Sequence, residues 1–270
     1  MTQEFPHRRL YETYAPRLHA LARRLCGNEH DAADMVQDTF LQAHRRWSTF
    51  RGRADPGTWL YAIAVRRCRR TVIQPRRRRP TPQFSQLAPF ADTTVIDRPA
   101  RGPAPWERAA TAEQVRVMES AIAELPVDFR VALVLKDIIE LSVEETARVL
   151  GVRPATVKTR VHRARLMLRA ALMRVTPQRP APEPSYPKQV CIDLLHAKLA
   201  AMDRGLGAAL SQSVVCERCR AVFEELDLTQ NVCASLGKAE ISRAIRALKD
   251  NPGTSKAERA SKSRRRGAKG

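Results

Sequence analysis

Five side chains in the last third of the chain have the chemistry to hold a soft metal ion: Cys191, His196, Cys216, Cys219 and Cys233. They read C-x4-H, then C-x2-C, then one more cysteine. A C-x2-C pair can present both thiolates to one tetrahedral ion, with Cys191 and Cys233 completing the set. His196 is a fifth candidate, or simply a surface residue. Zinc, cadmium and cuprous ion all suit thiolate donors, and donor type alone does not choose among them. The same cysteines would equally serve a structural zinc clasp or a thiol redox switch.

Two further groups of residues suit nucleic acid. In FRGRADPGTWLYAIAVRRCRR, the rings of Phe50, Trp59 and Tyr61 alternate with Arg51, Arg53, Arg66 and Arg67. Bases of a single strand can stack on such rings while guanidinium groups hold the phosphates, although Trp59 and Tyr61 can also be plain core. Pro56 and Gly57 make a loop, and Thr58 can cap the apolar helix that follows. Cys68 shares a stripe with Tyr61 and Val65 and reads as packing; Cys26, at a helix end, reads the same way. In LSVEETARVLGVRPATVKTRVHRARLMLRA, Ser142 and Glu145 have capping-box spacing, Gly151 breaks the chain, and Pro154 suits the first turn of a second helix. A short helix, a glycine turn and a basic helix make a helix-turn-helix, whose second helix enters the DNA major groove. Val157, Val161, Ala164 and Leu168 face inward. The other side carries Thr156, Lys158, Thr159, Arg160, His162, Arg163 and Arg165. Thr156, Lys158, Thr159 and Arg160 are best placed for base edges and phosphates, with Arg153 as a phosphate contact.

The elements that must position these groups are helical. Ala, Leu, Arg and Glu dominate and β-branched alternation is scarce, so the expected fold class is all-α. Tyr14, Leu18, Leu21 and Leu25 form one apolar stripe ended by Gly27, and Val36, Phe40, Ala43 and Trp47 form another on a helix opening near Asp31. The opposite face of that second helix holds Asp34, Gln37, Asp38, Leu41 and Arg45. Periodicity alone leaves open whether it is a solvated face or a docking face. Two proline-rich stretches divide the chain. The expected organisation is a helical domain over 5–73, a linker over 74–106, a helix-turn-helix domain over 107–175, a linker over 176–187, a small Cys/His-rich helical domain over 188–250 and a basic disordered tail over 251–270. Lys and Arg number 48 against 28 Asp and Glu, a formal charge of +20, which favours a polyanionic partner. No apolar run reaches the length of a membrane span, and the N-terminus has no apolar stretch after its basic residues, so neither a membrane nor a secretory route is expected. The expected compartment is the cytoplasm, where thiols stay reduced. The sequence offers no glycine-rich phosphate loop and no His paired with a nucleophile, so no enzyme is expected.

The stretch DAADMVQDTFLQAHRRWSTFRGRADPGTWLYAIAVRRCRR resembles region 2 of the extracytoplasmic-function sigma factors, and AIAELPVDFR through VHRARLMLR resembles their region 4. The resemblance implies an RNA polymerase sigma factor whose partners are core polymerase and promoter DNA. Asp34, Gln37, Asp38 and Leu41 would then bind the clamp helices of the polymerase. Phe50, Arg51, Arg53, Thr58, Trp59, Arg66 and Arg67 would melt and read the element about ten bases upstream of the start. The helix-turn-helix would read the element about thirty-five bases upstream. The linker would run through the polymerase, where Arg76 to Arg79 suit contact with nucleic acid and equally suit solvent. The C-terminal block resembles the cysteine-rich domain of CorE-type metal-dependent sigma factors. It resembles more faintly the zinc-binding fold of anti-sigma factors, whose motif is H-x3-C-x2-C; the position matching that histidine is Gln212. This implies metal control of activity in cis, which makes a separate anti-sigma factor less necessary as a partner. The reading of a different class is a helix-turn-helix regulator that binds DNA without polymerase, for which the Asp34, Gln37, Asp38 face has no use.

Overall fold

The computed structural model describes residues 5–52, 55–71, 82–97, 110–206 and 215–250, with backbone only at 70–71 and 247–250. Arg53, the arginine run 76–79, Gln212 and the basic tail lie outside the described residues.

Three helices build the N-terminal part: α1 (His7–Cys26), α2 (Glu29–Arg45) and α3 (Pro56–Thr71). Their apolar stripes meet through Leu18, Leu21, Leu25, Val36, Phe40, Leu60 and Val65, all buried. Gly27 ends α1 in the left-handed conformation at φ 88°, where a side chain would be strained, and its N–H closes on Arg23 O. α2 starts two residues before Asp31 because Asn28 caps it, accepting from Asp31 N at 2.8 Å. The start of α3 also differs from expectation. Pro56 takes the first helical position, so the cap falls on Asp55, whose carboxylate accepts from Gly57 N at 2.7 Å. Thr58 is thereby turned inward and is only 5% exposed.

The middle part holds α5 (Ala112–Glu124), α6 (Val127–Leu133), α7 (Val143–Leu150) and α8 (Pro154–Leu172) around Met118, Ile122, Leu133, Val157, Val161 and Leu168. The Ser142 and Glu145 capping box forms, with bonds of 2.8 and 3.1 Å, and Gly151 at φ 67° turns α7 into α8. α6 runs on into a π-helical turn, Val134–Ile138, and Glu140 follows at φ 63°.

The two proline-rich stretches turn out to be joined to each other. From the first come the single turn α4 (Phe84–Leu87) and the strand β1 (Thr94–Ile96); from the second comes β2 (Gln178–Pro180). The strands pair antiparallel, Thr94 with Pro180, Val95 with Arg179 and Ile96 with Gln178. Val95 and Ile96 are each 1% exposed, so burial of two β-branched side chains anchors a segment too proline-rich for helix.

α9 (Lys188–Asp203) and α10 (Glu217–Asp250) complete the fold. The first turns of α10 pack with α9 around Leu195, Leu199, Met202, Phe223 and Leu226. Its middle instead contributes Leu228, Val232, Cys233 and Leu236 to the core shared by the other two parts. Lys198, wholly buried, holds Asp227 with both carboxylate oxygens, at 2.6 and 2.8 Å. Arg218 donates to Pro182 O, Phe90 O and Asp92 O, tying α10 to both proline-rich segments.

Candidate functional site

On α2, the face opposite the core is open. Asp34, Gln37 and Leu41 are exposed, Leu41 at 47%, and Asp38 is half-buried in an ion pair with Arg67 of α3. Leu41 is the one large hydrophobic side chain exposed on α2 among the described residues, and it lies one turn after Asp38.

Beside it, Trp47 stacks on Phe50 with ring centroids 4.9 Å apart, and Trp59 closes on Phe50 at 5.3 Å. The three rings are partly exposed, and Arg51 and Arg66 flank them in the open. Tyr61 is core, 2% exposed, and burial pushes its phenol pKa up. The cluster is fastened from below: Tyr14 Oη donates to Asp55 Oδ2 at 2.9 Å. Gly57 is required at this contact, because a Cβ there would lie 2.4 Å from Tyr14 Cε1.

At the start of α8, Arg153, Lys158 and Thr159 are exposed and Thr156 and Arg163 half-buried. Arg160 is held by Asp128 at 3.0 Å, and Asp128 also holds Arg69 of α3 at 3.0 Å. Arg165, expected on the basic face, is 1% exposed. It binds Asp137 through two bonds, of 2.8 and 2.7 Å, and Asp203 through one of 2.8 Å. Burial works against its charge, but the two carboxylates outweigh that and its pKa is raised. His162 shares Asp203, at 2.8 Å. The spacing held this information: Arg165 lies four residues after Val161 and three before Leu168, on the stripe that faces inward.

Three of the five metal-ligand candidates meet. Cys219 neighbours Cys191 and Cys216 in one buried cluster. Burial works to raise the Cys216 pKa, but N–H groups of Cys219, Ser185 and Arg218 favour its thiolate and the net shift is downward. Cys219 itself is pushed up, by burial and by its two thiol neighbours. The donor types suit a soft ion. Among the described residues, however, no group of three or more His, Cys, Asp and Glu side chains has the arrangement of a metal site. The structure does not bring Cys233 and His196 to the cluster. Cys219 and Cys233 lie fourteen residues apart on the unbroken α10, a separation of about 21 Å at 1.5 Å per residue. Cys233 faces Asp137, Arg165 and Arg24 instead, and burial raises its pKa. His196 is exposed on α9, its ring 4.5 Å from that of Phe84. A second thiol pair went unforeseen: Cys26 and Cys68, on α1 and α3, are neighbours, and their interaction lowers the pKa of Cys26 and raises that of Cys68.

Comparison with known proteins matches residues 10–79 to the family model "Sigma-70 region 2" and residues 116–168 to "Sigma-70, region 4". The ECF RNA polymerase sigma factor SigM of Mycobacterium tuberculosis is 34% identical over 59% of this chain and 73% of its own length. SigW of Bacillus subtilis is 31% identical over 60% of this chain and 87% of its own. The chain belongs to the ECF sigma factors. SigE of Mycolicibacterium smegmatis is 35% identical over 59% of this chain, and the match spans 59% of that relative's length. In sigma terms, α1 to α3 are region 2 and α5 to α8 are region 4, each matched by its own model. The region 4 match stops at Leu168, so α9, α10 and the three-thiol cluster are additions beyond both matched regions of this ECF sigma factor.

Proposed function

We propose that the chain directs core RNA polymerase to promoters, with activity controlled through the thiol cluster of its C-terminal segment. The α2 face of Asp34, Gln37, Asp38 and Leu41 docks on the polymerase. The Phe50 and Trp59 rings with Arg51, Arg53, Arg66 and Arg67 take the unwound upstream strand, and Thr58 supports that helix from inside. Arg153, Thr156, Lys158, Thr159, Arg160 and Arg163 read the distal element from α8. The single observation that supports this best is the coexistence, in one chain, of an open Asp34/Gln37/Leu41 face and a helix-turn-helix. A regulator acting without polymerase has no use for the first.

Cys191, Cys216 and Cys219 would hold a soft ion such as copper, zinc or cadmium as thiolates, and a bound ion would supply a cross-link between α9 and α10. A second reading has its own support: the Cys219 thiol neighbours those of Cys191 and Cys216, as suits a dithiol that oxidises to a disulfide. Neither reading requires a separate anti-sigma factor.

Run-off transcription with purified core on the DNA upstream of this gene tests the proposal. Copper in both oxidation states, zinc and cadmium are titrated against chelator controls, with peroxide in a parallel series. Transcripts that follow one ion, and a Cys216→Ser variant that no longer responds, support metal control. A response to peroxide alone supports the redox reading, and no binding to core in a pull-down would overturn the sigma role.

A further inference from the structure

α10 touches both sigma regions along one stretch of helix. Toward region 2, Arg24 Nη2 donates to Leu236 O at 3.1 Å, and Glu240 lies 3.3 Å from His19 Nδ1. Toward region 4, Gly237 lies so close to the π-helical turn that a Cβ would fall 2.4 Å from Ile138 O. Glu225, 1% exposed, takes Arg169 of α8 with one oxygen and the N–H of Ile96 with the other, at 2.9 Å. From α9, Asp203 takes both His162 and Arg165 of α8. Regions 2 and 4 are also in direct contact, α3 packing on α7 with Asp128 bridging Arg69 and Arg160.

We propose that α9 and α10 form a built-in clasp that holds regions 2 and 4 together in a closed form unable to span a promoter. This rests on the sigma reading above. Elements about ten and about thirty-five bases upstream are separated by about 25 base pairs, or about 85 Å of B-form DNA. Helices packed as α3 and α7 are lie about 8–10 Å apart, so the two reading surfaces must separate before both elements are engaged. The Asp128 bridge also occupies Arg160, one of the expected readers. The clasp and the thiol cluster share their helices: Cys191 and Asp203 are on α9, and Glu225 and Gly237 follow Cys219 on α10. A change at the thiols therefore reaches the clasp through continuous helix, about 27 Å from Cys219 to Gly237 at 1.5 Å per residue. Release of the clasp is the activating step.

Two full-length variants test this. Gly237→Leu forces α10 off Ile138, and Asp203→Lys sets a cation against Arg165 and takes away the carboxylate partner of His162; the second serves if the first misfolds. Small-angle scattering measures opening without any DNA. Both variants should give a radius of gyration roughly a fifth larger than wild type, for which a compact chain of this length has about 18 Å. Anisotropy on a fluorescent random 40-base-pair duplex should show about tenfold tighter binding by the variants. Wild-type radii in variants of wild-type helicity would overturn the clasp, and opened variants with unchanged duplex affinity would overturn its role in occlusion. Failure of the sigma reading is separate, since it appears as no core binding by wild type or by the opened variants.

Discussion

Arg165 of the reading helix and Asp203 at the end of α9 meet at 2.8 Å, and both are buried. Asp137 completes the site from the π-helical turn, so one guanidinium joins two carboxylates from separate elements. Removing the cation takes the arginine partner from both buried carboxylates and leaves Asp203 with His162 alone. Arg165→Met should cost about 3–5 kcal/mol in urea unfolding. Arg165→Lys should recover only part of that, because an ammonium lacks the fork that grips Asp137 twice.

The same site predicts a pH dependence. Burial would raise the Asp203 carboxyl, but the His162 hydrogen bond and the charges of Arg165 and His162 hold it below its ordinary value. A carboxyl depressed on folding adds stability above its unfolded value, about pH 4, and that stability is lost as pH falls through the folded value. The stability gap between wild type and Asp203→Asn should therefore be full at pH 7 and shrink toward pH 3. A gap that stayed constant in urea titrations at the two pH values would contradict this assignment.

Leu41→Arg probes the docking face. The side chain is 47% exposed, so stability should stay within about 0.5 kcal/mol of wild type. Core-polymerase affinity should fall at least about tenfold, about 1.4 kcal/mol, in a titrated pull-down.

Gly57→Ala probes the seat of the aromatic cluster. With Tyr14 Cε1 2.4 Å from the new Cβ, overpacking should cost about 1–3 kcal/mol by thermal unfolding. Binding of a fluorescent single strand should weaken too, since Asp55, which caps α3, is also the partner of Tyr14.

Lys158→Ala separates phosphate contact from base reading. Lys158 is exposed near the start of α8, and its loss should weaken binding alike on specific and random duplexes. The slope of log affinity against log salt should become shallower by about 1.

The helices were legible because their apolar spacing is regular and their ends carry caps, as at Gly27, Ser142 and Gly151. The exposed face of α2 followed from the same spacing. The strand pair was not legible, since three-residue strands amid prolines show no alternation. Nor was the fate of Cys233: spacing in sequence groups it with Cys219, whereas one uninterrupted helix sets the two far apart along its axis. The inward turn of Thr58 depended on Pro56 taking the first helical position and passing the cap to Asp55. Asp203 and Glu225 gave no sign, because a carboxylate that will be buried by a distant arginine looks like any surface acid until the tertiary fold is known.

The pairing of β1 with β2 gives the protein a history as well as a shape. More than eighty residues separate the two strands, and a ribosome takes on the order of ten seconds to add that much chain. Glu225 and Gly237, which bind the closed arrangement, are synthesised later still. Each newborn molecule thus completes both sigma regions before the helix that joins them exists, and it passes through an unfastened youth before it is restrained.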